Sequence, residues 1–210
     1  SRHSQGLQQT MERIEQIRLL AGAIPPFVAV DQEGGRVARL DFTTQVPSAR
    51  ELSNLDALSL RQIGRILGSE LVSLGFHINF APVLDVNTDP ANPVIGDRSF
   101  GSDPATVSVL GQAYIAGLQE TGIAGCAKHF PGHGDTRSDS HLLLPVVNQK
   151  LERLESVELP PFRAAVKSGI DLVMIAHVHY PALDPAPDKP ATFSKPIVTG
   201  LLRETMGYSG

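Results

Sequence analysis

Four short apolar runs punctuate the chain: Phe27–Val30, His77–Ala81, Ile123–Ala127 and Asp171–Ala176. They are apolar at nearly every position rather than at alternate ones, which suits strands covered on both faces, as in a parallel sheet. Between the runs, apolar residues recur at helical spacing. Leu60, Ile63, Leu67, Leu71 and Leu74 form one stripe, and Val107, Leu110, Tyr114 and Leu118 another. The second follows Ser102-Asp103-Pro104, which offers a capping side chain and a proline for the first turn. Pro160-Pro161 opens a third helix through Phe162, Ala165 and Val166. Met11, Ile14, Ile17 and Leu20 predict a helix ahead of the first strand, and Ser194-Lys195-Pro196 starts one through Ile197, Leu201 and Leu202. This alternation predicts an α/β fold with a parallel sheet.

The strand exits are polar. Asp31 follows the first run, Asp85 follows the second after Pro82-Val83-Leu84, Lys128-His129 follows the third and His177 the fourth. A (β/α)8 barrel builds its active site at the C-terminal ends of its strands. A doubly wound sheet also places ligands there, but no glycine-rich dinucleotide fingerprint follows any of these runs. Four polar exits in succession therefore favour the barrel. A complete barrel has eight strands and usually about 250 residues, whereas four strands are legible here. The expectation is an α/β, (β/α)8 TIM-type barrel, incomplete in this chain with strands missing at both ends, and residues 1–210 forming one partial catalytic domain.

Composition narrows the function by exclusion. With 41% hydrophobic and 19% charged residues the chain is that of a globular protein, not a disordered one. A net charge of −4 gives no basic surface for nucleic acid or for a polybasic membrane contact. No apolar run approaches the ~20 residues of a spanning helix, and Ser1-Arg2-His3-Ser4-Gln5 does not read as a signal peptide. The one cysteine, Cys126, leaves no intrachain disulfide and no cysteine-based zinc site, in keeping with a reducing compartment. Tryptophan is absent and aromatics are 5%, so a sugar site here would rest on hydrogen bonds more than on stacking.

Three of the seven histidines fall within Lys128–His141, where a strand gives way to a loop rich in Gly, Pro, Ser and Asp. Asp139 stands two residues before His141, close enough to hold its imidazole, and such a pair suits acid/base chemistry near neutral pH. The same loop also reads as a polar surface turn whose Asp and Ser close its bends. A third reading is a metal site drawn from His129, His133, His141, Asp135 and Asp139, with His177-Val178-His179 similar to the His-x-His pair of amidohydrolase barrels. Asp31 could accept two sugar hydroxyls or cap a turn. Arg98, in the glycine-bounded Gly96–Gly101 loop, is a fork for an acetamide or hydroxyls, or a solvated side chain. Asp85 has the alternative of orienting neighbouring backbone, and Cys126 fits a small core residue.

Taken together, Val30–Val37, Asn79–Val86, Gly96–Gly101 and the Lys128–His141 run, Lys-His-Phe-Pro-Gly-His-Gly-Asp closing on Asp-Ser-His, resemble glycoside hydrolase family 3. The resemblance is greatest to its β-N-acetylglucosaminidases (β-hexosaminidases) of the NagZ type, and it spans most of the chain. It implies removal of terminal β-linked N-acetylglucosamine, from muropeptide-like or chitooligosaccharide substrates, with retention and through a covalent glycosyl-enzyme. It puts the acid/base role on His141 with Asp139 as its partner, and the sugar-holding roles on Asp31, Arg39, Arg98, Lys128 and His129, with no metal and no cofactor. The family's nucleophilic Asp matches no carboxylate here and is expected beyond residue 210, so the 210-residue chain alone is expected to be inactive. Related activities are a β-glucosidase and an N-acetylglucosaminide phosphorylase. A metal-dependent amidohydrolase and a non-catalytic sugar-binding protein are readings of other classes. The peptidoglycan-recycling role of relatives implies the bacterial cytoplasm, an exported form also fits, and the sequence leaves the oligomeric state open.

Overall fold

The computed structural model describes residues 2–137 and 144–210. Its sheet has four parallel strands: β1 (Ala29–Val30), β4 (Ile78–Asn79), β5 (Ala124–Phe130) and β6 (Leu172–Ile175), side by side in that order. Ala29 pairs with Ile78, Ile78 with Ala124, and Cys126 with Leu172. Each of the four apolar runs thus supplies one strand. Neighbours in sequence are neighbours in the sheet, joined by helical crossovers, as in the wall of a (β/α) barrel.

Two antiparallel strands, β2 (Gln32–Gly34) and β3 (Val37–Ala38), form a hairpin just past β1. Helices α2 (Ala49–Leu52) and α3 (Ala57–Leu74) then lead to β4, and α4 (Pro104–Gln119) leads to β5. Capping sets the helix starts: Asp56 Oδ1 accepts the Ser59 N–H at 2.7 Å, and Asp103 Oδ2 the Thr106 N–H at 2.8 Å. Helices α3 and α4 meet backbone to backbone. A Cβ on Gly117 would lie 2.1 Å from the Arg61 carbonyl oxygen, and one on Gly64 2.6 Å from that of Tyr114. The crossover to β6 runs through α5 (Leu151–Arg153), a wide π-type turn (Leu154–Glu158) and α6 (Pro160–Lys167). The final helical segment, Pro196–Thr205, is also wound in π geometry and buries Ile197 and Leu202.

The core has two parts. Leu60, Leu67 and Leu71 of α3 pack with Val107, Tyr114 and Leu118 of α4 and with Val30. Phe130, Phe162, Tyr180, Ile197 and Leu202 fill the second part around β5 and β6.

Two expectations change. The first helix, α1 (Arg2–Leu20), exists, but of its stripe only Ile14 is buried, while Met11, Ile17 and Leu20 are exposed. Its docking is local: Arg18 Nη2 donates to the Gly75 carbonyl at the end of α3. The third strand also runs further than its apolar core, so Lys128 and His129 lie within β5 and not beyond it. A buried strand accepts a lysine only where carboxylates neutralise it, and that compensation is the centre of the site below.

Candidate active site

Three strand exits and one loop converge. Asp31 leaves β1, Glu33 sits on β2, Lys128 and His129 lie just before Phe130 at the end of β5, and Asp85 follows β4. Arg98 closes a short 3-10 turn, Gly96–Arg98.

The hairpin carrying Glu33 is braced from β4. The buried Asn79 side chain accepts the Gln32 N–H at 3.0 Å and donates to the Gln32 carbonyl at 2.9 Å. Gln32 Oε1 accepts the N–H groups of Arg39 and Leu40, at 2.8 and 3.1 Å. Gly34, with φ +102°, allows the turn to press against the Pro47 carbonyl, where a Cβ would stand 2.5 Å away. Glu33 is held facing inward by these contacts.

Its carboxylate bridges two cations. Arg98 donates to it in fork geometry, Nε to Oε2 and Nη2 to Oε1, each at 2.8 Å. Lys128 Nζ lies 2.6 Å from Oε1 and also donates to Asp31 Oδ1 at 2.9 Å. The Lys128 side chain is 2% exposed, Glu33 is 7% exposed and Asp31 39%. Buried ions survive in such a place because they are paired and hydrogen-bonded together. Burial pushes the Glu33 carboxyl up, but the Arg98 hydrogen bonds and the charges of Lys128 and Arg98 outweigh it and hold the group below the usual Glu value. Burial likewise opposes the Arg98 guanidinium, and its bonds to Glu33 reverse the effect and raise it.

Asp85 is wholly buried and compensated differently. Its Oδ2 lies 2.7 Å from His129 Nδ1, and its Oδ1 accepts the backbone N–H groups of His129, at 3.1 Å, and His133, at 2.7 Å. Desolvation disfavours its charged form, but the attraction and hydrogen bond of His129, with His133 behind them, hold it below the usual Asp value. Asp85 therefore does orient neighbouring backbone. The His133 ring is buried, with Nδ1 2.8 Å from Thr136 Oγ1, and desolvation lowers its basicity.

The loop base is pinned as well. Asn92 Nδ2 donates to the His133 carbonyl, Tyr180 Oη to that of Gly132, and Asp135 accepts from Thr88 and Gln149. Gly134 passes so near Val86 that a Cβ would stand 1.8 Å from its carbonyl oxygen.

Four of the expected residues, Asp31, Arg98, Lys128 and His129, thus gather at the strand exits. Arg39 stands apart: it is exposed, and its side chain makes no hydrogen bond or ion pair among the described residues. Asp139 and His141 lie outside the described residues. His177 is exposed and hydrogen-bonded to Thr192, while His179 is buried in a bridge to Val146 and Pro190. Among the described residues no group of three or more His, Cys, Asp or Glu is arranged to hold a metal ion. Sequence reasoning missed Glu33. The signal was present: Asp31 and Glu33 are two apart at a strand exit, the spacing that puts both side chains on one face.

Comparison with known proteins gives these residues a context. A family model described as the glycosyl hydrolase family 3 N-terminal domain matches residues 2–210. The β-hexosaminidase of Thiobacillus denitrificans is 40% identical over 218 residues, covering all of this chain and 59% of that protein. β-Hexosaminidase A of Pseudoalteromonas piscicida is 40% identical over 203 residues, covering 89% of this chain and 34% of that protein. The chain therefore spans about a third to three fifths of the length of these relatives. Among solved structures, a family 3 β-N-acetylglucosaminidase from Paenibacillus superposes with a TM-score of 0.90 at 44% identity, over 99% of this chain and 40% of that one. NagZ from Neisseria gonorrhoeae, in complex with N-trifluoroacetyl-D-glucosamine, gives 0.90 at 38% identity, over 97% and 61%.

Proposed function

The chain belongs to glycosyl hydrolase family 3, and we propose that it is the sugar-holding part of a retaining β-N-acetylglucosaminidase. The observation that carries this reading is the Asp31–Lys128–Glu33–Arg98 network at the strand exits, with Asp31 half-exposed and backed by charge. A carboxylate so placed accepts two sugar hydroxyls, and Lys128, with three N–H donors and two carboxylate partners, has a third donor to offer. His129 and Arg98 complete the grip, while Arg39, exposed beyond the hairpin, has a part only if the sugar draws it in. The substrate class is terminal β-linked N-acetylglucosamine on a muropeptide or chitooligosaccharide, and the setting is cell-wall recycling in the bacterial cytoplasm.

In the first step His141 gives a proton to the leaving oxygen while an Asp beyond residue 210 attacks the anomeric carbon. In the second His141 takes a proton from the water that releases the sugar. Asp139 stabilises the imidazolium needed first.

The test uses the protein continuing past residue 210. His141→Ala should slow a poor leaving group strongly and an activated aryl leaving group much less, and equal loss for both would remove the acid role. Asp31→Ala should weaken N-acetylglucosamine binding about 10- to 100-fold, the worth of hydrogen bonds to a charged group. Unchanged binding would remove Asp31 from the sugar site.

A further inference from the structure

The Asp85 carboxylate meets no solvent and makes three contacts, two to backbone N–H groups and one to a ring nitrogen. Two are fixed by chemistry, because the backbone N–H groups of His129 and His133 can only donate. The third faces an atom with a choice. His129 Nδ1 can carry a hydrogen or a lone pair, and which it carries is set by its partner. An ionised carboxylate has only lone pairs to offer at Oδ2, so Nδ1 must bear the hydrogen. Among the described residues no second acceptor competes for it: the neighbouring His133 ring, 5.9 Å away and edge-on, turns its own Nδ1 to Thr136. The other ring nitrogen, Nε2 of His129, makes no hydrogen bond among the described residues.

We propose that Asp85 is a positioning residue that locks His129 in the Nδ1–H tautomer, so that the neutral ring presents an Nε2 lone pair and takes a hydrogen bond from a sugar hydroxyl instead of giving one. The inference rests on the reading of this site as a sugar site and deepens it by fixing the polarity of one contact. Lys128 and Arg98 are donors that suit a ligand oxygen's lone pairs. Asp31 and His129 are acceptors that require the ligand hydroxyl to donate. The site then selects for a hydroxyl donor at the position facing His129.

Asparagine in place of Asp85 keeps the size of the side chain and reverses the polarity. Its Oδ1 can still accept both backbone N–H groups, which turns its Nδ2 hydrogens toward His129 Nδ1. That nitrogen must then accept, and the hydrogen moves to Nε2.

The experiment is ¹⁵N NMR of the histidine rings in the full chain at mildly alkaline pH, with N-acetylglucosamine titrated as the probe. The unsubstituted chain should show His129 protonated at Nδ1. Asp85→Asn should move the hydrogen to Nε2 and weaken N-acetylglucosamine binding roughly tenfold, the effect of one mismatched hydrogen bond. Ring-fluorinated N-acetylglucosamine, in which fluorine cannot donate, should lose affinity at one ring position for the unsubstituted chain and lose less there for Asp85→Asn. Protonation of His129 at Nε2 in the unsubstituted chain overturns the proposal, whether or not the variant folds, as does an unchanged tautomer in Asp85→Asn. An Nδ1–H ring in a chain that binds no N-acetylglucosamine upholds the tautomer and overturns only the sugar reading.

Discussion

Glu33 and Asp85 are both buried carboxylates held in their charged form, the first paired with Lys128 and the second with His129 of β5. Their surroundings differ in kind. Glu33 is set against full cations, Arg98 and Lys128, each joined to it at less than 3 Å. Asp85 is set against dipoles and one imidazole: two backbone N–H groups and the His129 ring. A cation pair is strong, but removing one member strands the other in a dry place. A backbone N–H left unpaired costs less, about 1–3 kcal/mol. The two halves of the site thus share a charge state and differ in what each change leaves behind.

The sharpest way to break the comparison is Glu33→Ala. It leaves Arg98 without its fork and Lys128 with Asp31 alone, and it should cost about 3–5 kcal/mol in urea unfolding. A loss below about 1 kcal/mol would show that Asp31 or water takes over the pairing. Acid comes next. Both carboxyls have folded-state values below their unfolded ones, so both stabilise the fold above the usual carboxylate range near pH 4. That stability is lost as pH falls through the lowered folded values. Thermal unfolding should show a steep fall below about pH 4, and a flat profile down to pH 2 would contradict the charged assignment of both.

Glu158 sharpens the contrast from the other direction. It is 1% exposed, its Oε2 has no partner among the described residues, and Arg153 reaches only Oε1, at 3.2 Å. Burial pushes this carboxyl up. Its sign is therefore opposite: its contribution is present below the unfolded value and is lost as pH rises through the folded one. Glu158→Gln should raise stability at pH 7 by about 1 kcal/mol and give no gain near pH 4. Equal gains at both would point to packing instead of charge. The smallest effect belongs to Arg163, paired with Glu155 on the surface. Arg163→Ala should change stability by less than about 1 kcal/mol, and less still in high salt.

The four strands were legible because each writes a nearly unbroken apolar run into the sequence, although β6, at the edge of the sheet, is only half-buried. Helices α3 and α4 were legible through their stripes, and α4 also through its cap and first-turn proline. The β2–β3 hairpin was not, since strands of three and two residues are too short to show a period and Gln32-Glu33 reads as a turn. The end of β5 was misplaced because a polar Lys-His pair looks like a loop until the lysine's counter-charges are known, and Asp31 and Glu33 lie almost a hundred residues away. The α1 stripe overstated burial because spacing records which residues share a face, and nothing about what covers that face. Asp31, Arg98, Lys128 and His129 were found through motif and strand-exit position together. Glu33 was passed over although its spacing from Asp31 was legible, because the cations it pairs with, Arg98 and Lys128, are brought to it only by the fold.

Lys128 carries one more consequence. A lysine on a surface has four rotatable bonds, and a ligand that captures it must freeze them, at up to about 2 kcal/mol of side-chain entropy. Here that freedom is already gone before any ligand arrives, because two carboxylates hold the ammonium in a 2% exposed position. The remaining N–H points in a fixed direction, as a backbone amide would. A hydroxyl meeting it gains a charged hydrogen bond at almost no ordering cost, and one displaced by even an ångström finds a donor that does not follow it.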